Sequence, residues 1–452
     1  MDSRFRGNDI VFVVERFAAW AEDFRKLPIP PEVLHHAKRA VIDWYAALLP
    51  GAVVPPATML EAAFEGELGH GPSFLALGKK TYPRLAALIN GTAAHTVEVD
   101  DIFRDGIYHP GAPTIPAALA LAQAGGASGE QFLRAVIVGY EISTRIGAAM
   151  GRAHYKYWHN TGTIGVFGAC AASAELLGLD AKRFAHALAT VTTFAAGLQQ
   201  SFRMDSMSKP LHAGRAAEAG VTAALAAREG VTGSLDVIEG AAGFGVAMSD
   251  NPDWGKPFES LGKDFHICRM TFKNHTCCGH TFAAIDGALA LQQRMKIAAP
   301  DIERIRVGSY RAAKEVSGYE SPQTPAEARF SLKYVVATAL THGSVRLAAF
   351  EPARINDGAT RALMARIEVT IDPELDAAFP RQRAARVAIV SRDGRQEEFL
   401  QPTRIGDPDA PLSDAQLDAK YLELAVPVIG EDRARALLQK LWKLETEKTL
   451  AP

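Results

Sequence analysis

"TGTIGVFGACAASAELLGLD", residues 161–180, decides the fold class. Gly162, Gly165, Gly168, Ala169, Ala171, Ala172 and Ala174 give it a face with almost no side chain. Helices with such a face can bring their backbones close together. In a bilayer that spacing reads as a dimerising span, but the length and the polar flanks argue for tight packing in a soluble helical block. "LHAGRAAEAGVTAALAAREG" (211–230) repeats the habit and stops at Gly230. Working outward, "PEVLHHAKRAVIDWYAALL" (31–49) sets Val33, Leu34, Ala37, Ala40, Val41, Trp44 and Leu48 on one helical stripe. "SGEQFLRAVIVGYEISTRIGAAM" (128–150) opens with a capping box, Ser128 to Gln131, and is apolar nearly all round, as an interior helix is. Residues 11–260 therefore read mostly as helix.

The character changes after about residue 265. "RIRVGSY" (304–310), "ARIEVTID" (365–372) and "RVAIVSRDGRQEEFL" (386–400) alternate as strands do, and Asp393-Gly394 marks a hairpin in the last. Between them "TPAEARFSLKYVVATALTHG" (324–343) reads as one helix, with Thr324 as cap, Pro325 in the first turn and Glu327 closing the box. Helix returns from Leu412: Ser413 to Gln416 forms another box, and "EDRARALLQKLWKLE" (431–445) is amphipathic. The expected fold class is mainly α with an α+β second domain. A large helical domain takes 11–264 and 404–450, and a smaller α+β domain takes 265–403.

With 452 residues, 48% of them hydrophobic, the chain can bury a large core. Its 49 basic and 51 acidic residues leave a net charge of −2, scattered, so neither nucleic acid nor an anionic membrane is an expected partner. Cys170, Cys268, Cys277 and Cys278 are too few for a disulfide scaffold and suit a reducing compartment. No uncharged apolar run reaches the roughly 18 residues of a bilayer span. The first ten residues read as a polar leader, and the apolar stretch after them is broken by Glu15 and Arg16, unlike a signal peptide. The expectation is a soluble cytoplasmic protein.

No Walker loop, GxGxxG, HExxH or GxSxG is present, and "GAAGFG" (240–245) follows no clear strand. The chemistry-bearing groups fall in clusters instead. In "EVDDIFRDGIYHPGAP" (98–113), Glu98, Asp100 and Asp101 follow a helix that carries His95, and His109 precedes another. The stretch is either a solvated connection whose acids cap a helix or a corner of an active site. In "WHNTGTIG" (158–165), His159 stands before a helix start; a cap made by Asn160 or Thr161, with His159 partly exposed, is the alternative. Lys209 and His212 enter the second small-residue helix. A buried lysine there would need an anion, from the protein or from a substrate; a surface lysine would not. Lys273, His275, Cys277, Cys278 and His280 form the last cluster, before an apolar helix. Adjacent cysteines suit one tetrahedral zinc poorly, so no metal is expected, and plain core cysteines are the simpler reading. His109, His159, Lys209, His212 and Lys273 thus recur where a helix begins, which favours negative charge. Such groups suit a small polycarboxylate, and a neutral histidine or lysine could take the proton beside a held carboxylate.

"HTVEVDDI…HP", "GYEISTRIG", "HNTGTIGVFGACAASAELLGLD", "KPLHAGRAAEAGVTAALAAREGVTG" with "EGAAGFG", "CCGHTFAAIDGALAL" and "EARFSLKYVVATALTHG" follow one another as they do in the MmgE/PrpD family. The resemblance runs from about residue 12 to 440. That family includes 2-methylcitrate dehydratase, cis-aconitate decarboxylase and iminodisuccinate epimerase. The resemblance implies a cytoplasmic or mitochondrial homodimer, a helical domain built from both chain ends, an α+β lid, an active site in the cleft between them, and no metal or organic cofactor. Its acidic motif falls on Glu98, Asp100 and Asp101, its His-Pro histidine on His109, and its Thr-Gly histidine on His159. Its lysines fall on Lys209 and Lys273, and a lid tyrosine on Tyr319. Three positions depart from the pattern. Ile102 stands where threonine is frequent, and Glu98 where aspartate is common. Cys278 stands where the decarboxylase pattern has histidine, which counts against that activity in particular.

The resulting expectation is a cofactor-independent lyase acting on a small di- or tricarboxylate. His109, His159, Lys209, Lys273, Asp100 and Asp101 are the catalytic candidates; Glu98, His212, Cys278 and Tyr319 are the binding candidates. Loss of water is the first expectation. Epimerisation or decarboxylation on the same scaffold, and a carboxylate-binding protein without chemistry, are the alternatives.

Overall fold

The structure, a computed structural model, describes residues 11–202, 204, 206–250 and 252–450. Residues 1–10, read above as a polar leader, lie outside the described residues. The fold is mainly helical with a small mixed sheet. The chain forms two compact units. One holds the described residues up to Thr271 and those from Asp414 onward; the other is Phe272–Ser413. Among the described residues no helix is long and apolar enough to cross a membrane.

In the first unit the Ser208–Arg228 helix packs against Pro83–Thr96, Gly111–Gly125, Gly165–Leu176 and Ala181–Thr192. Small residues set those distances. A Cβ on Gly214 would stand 2.2 Å from the Leu88 carbonyl oxygen, and one on Gly220 would stand 2.5 Å from the backbone of Ala169 and Cys170. The 161–180 stretch begins with one turn, Asn160–Thr163, and continues as Gly165–Leu176. Ser128 accepts from the Gln131 amide, completing its capping box, and Phe132 to Tyr140 is largely buried. The 31–49 stripe is buried as expected except for half-buried Leu34, and burial spreads past it: Arg39 and Asp43 are buried too. The residues 240–245 form a turn leading into the Phe244–Met248 helix, with no strand before it.

In the second unit four strands lie in the order Ile367–Ile371, Ile302–Ser309, Ala385–Ser391, Gln396–Gln401. The first pair is parallel, with Val307 opposite Val369; the other two are antiparallel, and the last pair is the expected Asp393-Gly394 hairpin. Ile305, Val307, Val387 and Ile389 share a core with Ile285 and Leu291 of the Phe282–Met295 helix and Val335 and Val336 of the Leu332–His342 helix. The 324–343 segment is two helices, Pro325–Arg329 and Leu332–His342, not one. Ser331 breaks it: its hydroxyl donates to the Tyr319 carbonyl and accepts from the Tyr334 amide, while Leu332 N–H goes to Ser317 O. Lys273 does not stand at a helix start either. The backbone stays irregular until Phe282, because the Thr281 amide turns back to the Cys278 carbonyl.

Gly220→Ala should destabilise the first unit by about 1–3 kcal/mol, as inserting a methyl group into a close-packed site does. Urea unfolding measures it; an unchanged midpoint would show that these helices separate easily.

Candidate active site

The acidic stretch is held from three sides. It follows the Pro83–Thr96 helix, and the Ile102 and Thr271 backbones bond each other. Between Phe103 and Tyr108 it closes a tight turn that exposes Arg104 and Asp105 and buries Tyr108, whose hydroxyl donates to Ser143. The third hold comes from the far end of the chain. Lys420, on the Asp414–Ile429 helix, is buried with its Nζ 2.5 Å from Asp43 Oδ1 and 2.7 Å from the Val99 carbonyl oxygen. That carbonyl directly precedes Asp100.

Asp100 is the centre. Its Oδ2 lies 2.7 Å from His95 Nδ1 and 3.1 Å from His109 Nδ1. Burial alone would raise its pKa, but the two imidazoles outweigh burial and hold it well below the usual carboxylate range. His95 Nε2 has no hydrogen-bond partner among the described residues, which assigns the His95 proton to Nδ1, facing Asp100. The His95 ring lies 4.7 Å from that of His109 and stacks at 5.4 Å on that of His159. His159 is buried, not partly exposed, and its side chain makes no helix cap. Its Nδ1 lies 2.9 Å from Nδ1 of His212 instead. Burial, then the charges of His95, Lys209 and His212, keeps His159 well below the ordinary histidine pKa; burial and the same neighbours His95 and Lys209 lower His212.

Lys209 is in the first turn of its helix, not before it, and pairs with Glu98. Burial opposes its charge, yet Glu98 and Asp100 leave its pKa raised. Glu98 has a left-handed backbone, φ 61°, which costs a residue other than glycine about 1–2 kcal/mol. Asp101 faces a different way. Its oxygens accept from the Gly111 amide at 3.0 Å and the Tyr140 hydroxyl at 2.8 Å, and burial beside Asp43 pushes its pKa up to about 8. It anchors the start of the Gly111–Gly125 helix.

His95, His109, His159, Lys209 and His212 thus come together from separate segments. Lys273, Cys278 and Tyr319 belong to the second unit. There Tyr319 is exposed, and the Cys278 amide bonds the Arg329 carbonyl. The 275–280 groups take separate partners: His275 Nε2 meets Asp286 at 2.9 Å and His280 Nδ1 meets the Tyr310 hydroxyl at 2.9 Å. Cys277 packs on the core, and burial pushes its thiol up to about 12. Among the described residues, the ligand atoms close enough for one metal ion are those of His95, Asp100 and His109, within 4.8 Å of one another. An ion there would have to displace the N–H···O bond that Asp100 accepts from His95.

Sequence reasoning placed His95 only as a neighbour and left out Lys420, Asp43 and Tyr140. His95 had a usable signal: it is the last imidazole of a helix that ends just before an Asp-Asp pair.

The MmgE/PrpD N-terminal domain matches residues 15–257 and the MmgE/PrpD C-terminal domain matches residues 275–444; the chain belongs to the MmgE/PrpD family. A cis-aconitate decarboxylase-like protein, oryM, of Aspergillus oryzae is 28% identical over 471 aligned positions, 98% of this chain and 96% of the relative. Cis-aconitate decarboxylase of Mus musculus is 26% identical, covering 80% of this chain and 76% of its own. Cis-aconitate decarboxylase of Aspergillus terreus is 25% identical, covering 97% and 94%.

Lys420→Met should cost about 3–5 kcal/mol, because it leaves Asp43 buried and charged, and adding Asp43→Asn should recover part of that. Chemical denaturation of the single and double variants decides it. A second expectation concerns pH. Unfolded, His159 takes a proton near pH 6.5; folded, it stays neutral to lower pH, so the unfolded state binds more protons and stability falls as pH drops below about 6.5. Between pH 6.5 and 5, His159→Gln should flatten the stability slope by up to about 1.4 kcal/mol per pH unit. Equal slopes would mean that the folded histidine protonates freely.

Proposed function

We propose that the chain is a cofactor-independent lyase that moves a proton beside a carboxylate of a small di- or tricarboxylate. The observation that carries this reading is the ionised Asp100 held between the imidazoles of His95 and His109. With Nδ1 of His109 tied to Asp100, the ring works through Nε2. Asp100 stabilises the imidazolium that forms when Nε2 takes a proton from carbon. His159 is kept neutral in the same cluster and serves as the second acid–base group. Loss of water needs both: one group removes the carbon-bound proton and the other protonates the leaving hydroxyl.

Lys209 supplies the cation for a substrate carboxylate, which takes the place of Glu98 in the ion pair. Lys273, Cys278 and Tyr319 enter as substrate-facing groups, and assembly as a homodimer belongs to the same reading. Loss of carbon dioxide is the second reading, favoured by relatives of 25–28% identity that carry the name cis-aconitate decarboxylase. There the histidines would protonate the carbon that carbon dioxide leaves.

The test is turnover of 2-methylcitrate, citrate, cis-aconitate and iminodisuccinate in deuterated water, followed by NMR. The proposal expects loss of water or carbon dioxide from a tricarboxylate. His109→Gln should lower kcat about 100- to 10,000-fold with the fold intact, the usual contribution of a positioned acid–base group. Deuterium entry without either loss would mark an epimerase. No turnover and no exchange would defeat the proposal.

A further inference from the structure

A cavity of about 510 Å³ opens beside the Ser208–Arg228 helix, walled by Phe194, Ala196, Leu198, Ala216 and Ala219. Its polar groups are few, among them Gln200, Ser201 and Arg215, and the cavity is far larger than the roughly 30 Å³ share of one water molecule. His212 forms part of its wall. The same side chain reaches inward, its Nδ1 2.9 Å from Nδ1 of His159, which is buried and stacked on His95. His212 therefore has solvent on one side and the buried imidazoles on the other.

The backbone around it is built for this contact. Gly197 has φ +133°, a conformation side chains rarely adopt, and a Cβ there would stand 3.0 Å from His212 Nδ1. The Gly197 carbonyl meanwhile accepts from the His159 amide at 2.9 Å. One glycine thus holds both rings in register.

We propose that His212 is a proton relay between the cavity water and His159, a role that deepens the lyase reading and rests on it for its purpose. Water in the cavity protonates His212 at Nε2. The Nδ1 proton of His212 passes to Nδ1 of His159, and His159 gives up its own Nε2 proton toward the substrate. The first transfer breaks a water O–H bond, forms His212 Nε2–H and leaves hydroxide in the cavity. The second breaks one N–H bond and forms one. The third breaks His159 Nε2–H and forms an O–H bond on the leaving hydroxyl, and both rings end as the other neutral tautomer. In loss of water His159 gives its proton to the leaving hydroxyl and must be resupplied each cycle, and this path does so from the cavity without opening the substrate side.

Two variants test the relay. His212→Leu plugs the path with an apolar side chain, and His212→Ala leaves a gap that added imidazole can fill from the cavity. In protein labelled with ¹⁵N-histidine, exchange of the His159 ring N–H with water should slow at least about tenfold in both. Imidazole should restore it in His212→Ala and not in His212→Leu. Where a substrate is turned over, kcat should fall with KM little changed, on the order of the 100-fold at the low end for an acid–base group, and show the same rescue. Unchanged ring exchange in either folded variant, or loss of exchange that imidazole cannot restore in His212→Ala, overturns the relay. A wild type inactive on every carboxylate defeats the lyase reading instead, and the ring-exchange result still decides the relay. If His212→Leu does not fold, His212→Ala with and without imidazole carries the decision.

Discussion

Everything at the site depends on one buried ammonium. Lys420 comes from the last part of the chain, yet it binds Asp43 near the beginning and the carbonyl of Val99. Two consequences follow. The pair closes the first unit across 377 positions of sequence, so its two chain segments cannot part without exposing an uncompensated charge. It also fixes the backbone from which Asp100 projects. A carboxylate that must sit 2.7 Å from one imidazole and 3.1 Å from another tolerates little movement of its own main chain.

Around that fixed point, burial and charge sort the titratable groups into opposite states. Asp100 stays ionised because two imidazoles lie against it, although burial opposes the charge. Asp101, its neighbour in sequence, faces Tyr140 and Gly111 with Asp43 close by, and is pushed up to about 8. His159 and His212 are lowered first by burial and then by the charges of His95 and Lys209. One ionised acid and a pair of neutral imidazoles are therefore linked through His95, with an acid held protonated to unusually high pH next in the chain. Adjacent groups pushed apart in proton affinity are what acid–base chemistry near neutral pH requires.

Much of the fold was legible because local rules set it. The Ser128 capping box, the Asp393-Gly394 hairpin and the small-residue face of 161–180 each depend on residues a few positions apart. The single helix expected over 324–343 failed for a tertiary reason: Ser331 bonds the Tyr319 carbonyl and the Leu332 amide bonds that of Ser317, contacts that helical periodicity does not encode. At the site, the imidazoles and Lys209 stood out by type and by their places near helix starts. What could not be read was which carboxylate faces which cation. Asp100 and Asp101 are adjacent and chemically alike, and only the packing of Tyr140 and His95 assigns them different partners. Lys420 was invisible for the same reason, its partners lying hundreds of residues away.

The Lys209–Glu98 pair shows why such a site can be both closed at rest and open to an anionic ligand. The two partners are unequal: the Glu98 side chain is 41% exposed and that of Lys209 20%. Glu98 can rotate into water at little cost, since half-exposed ion pairs contribute on the order of 1 kcal/mol or less. Lys209 cannot follow it without leaving its place over the Phe202 ring, 5.2 Å from its centroid, and beside Asp100. The ammonium therefore stays while its counter-ion leaves. On the proposed reading, a substrate carboxylate meets a cation already desolvated and already held near Asp100. Glu98 then acts as the placeholder that keeps Lys209 charged between turnovers.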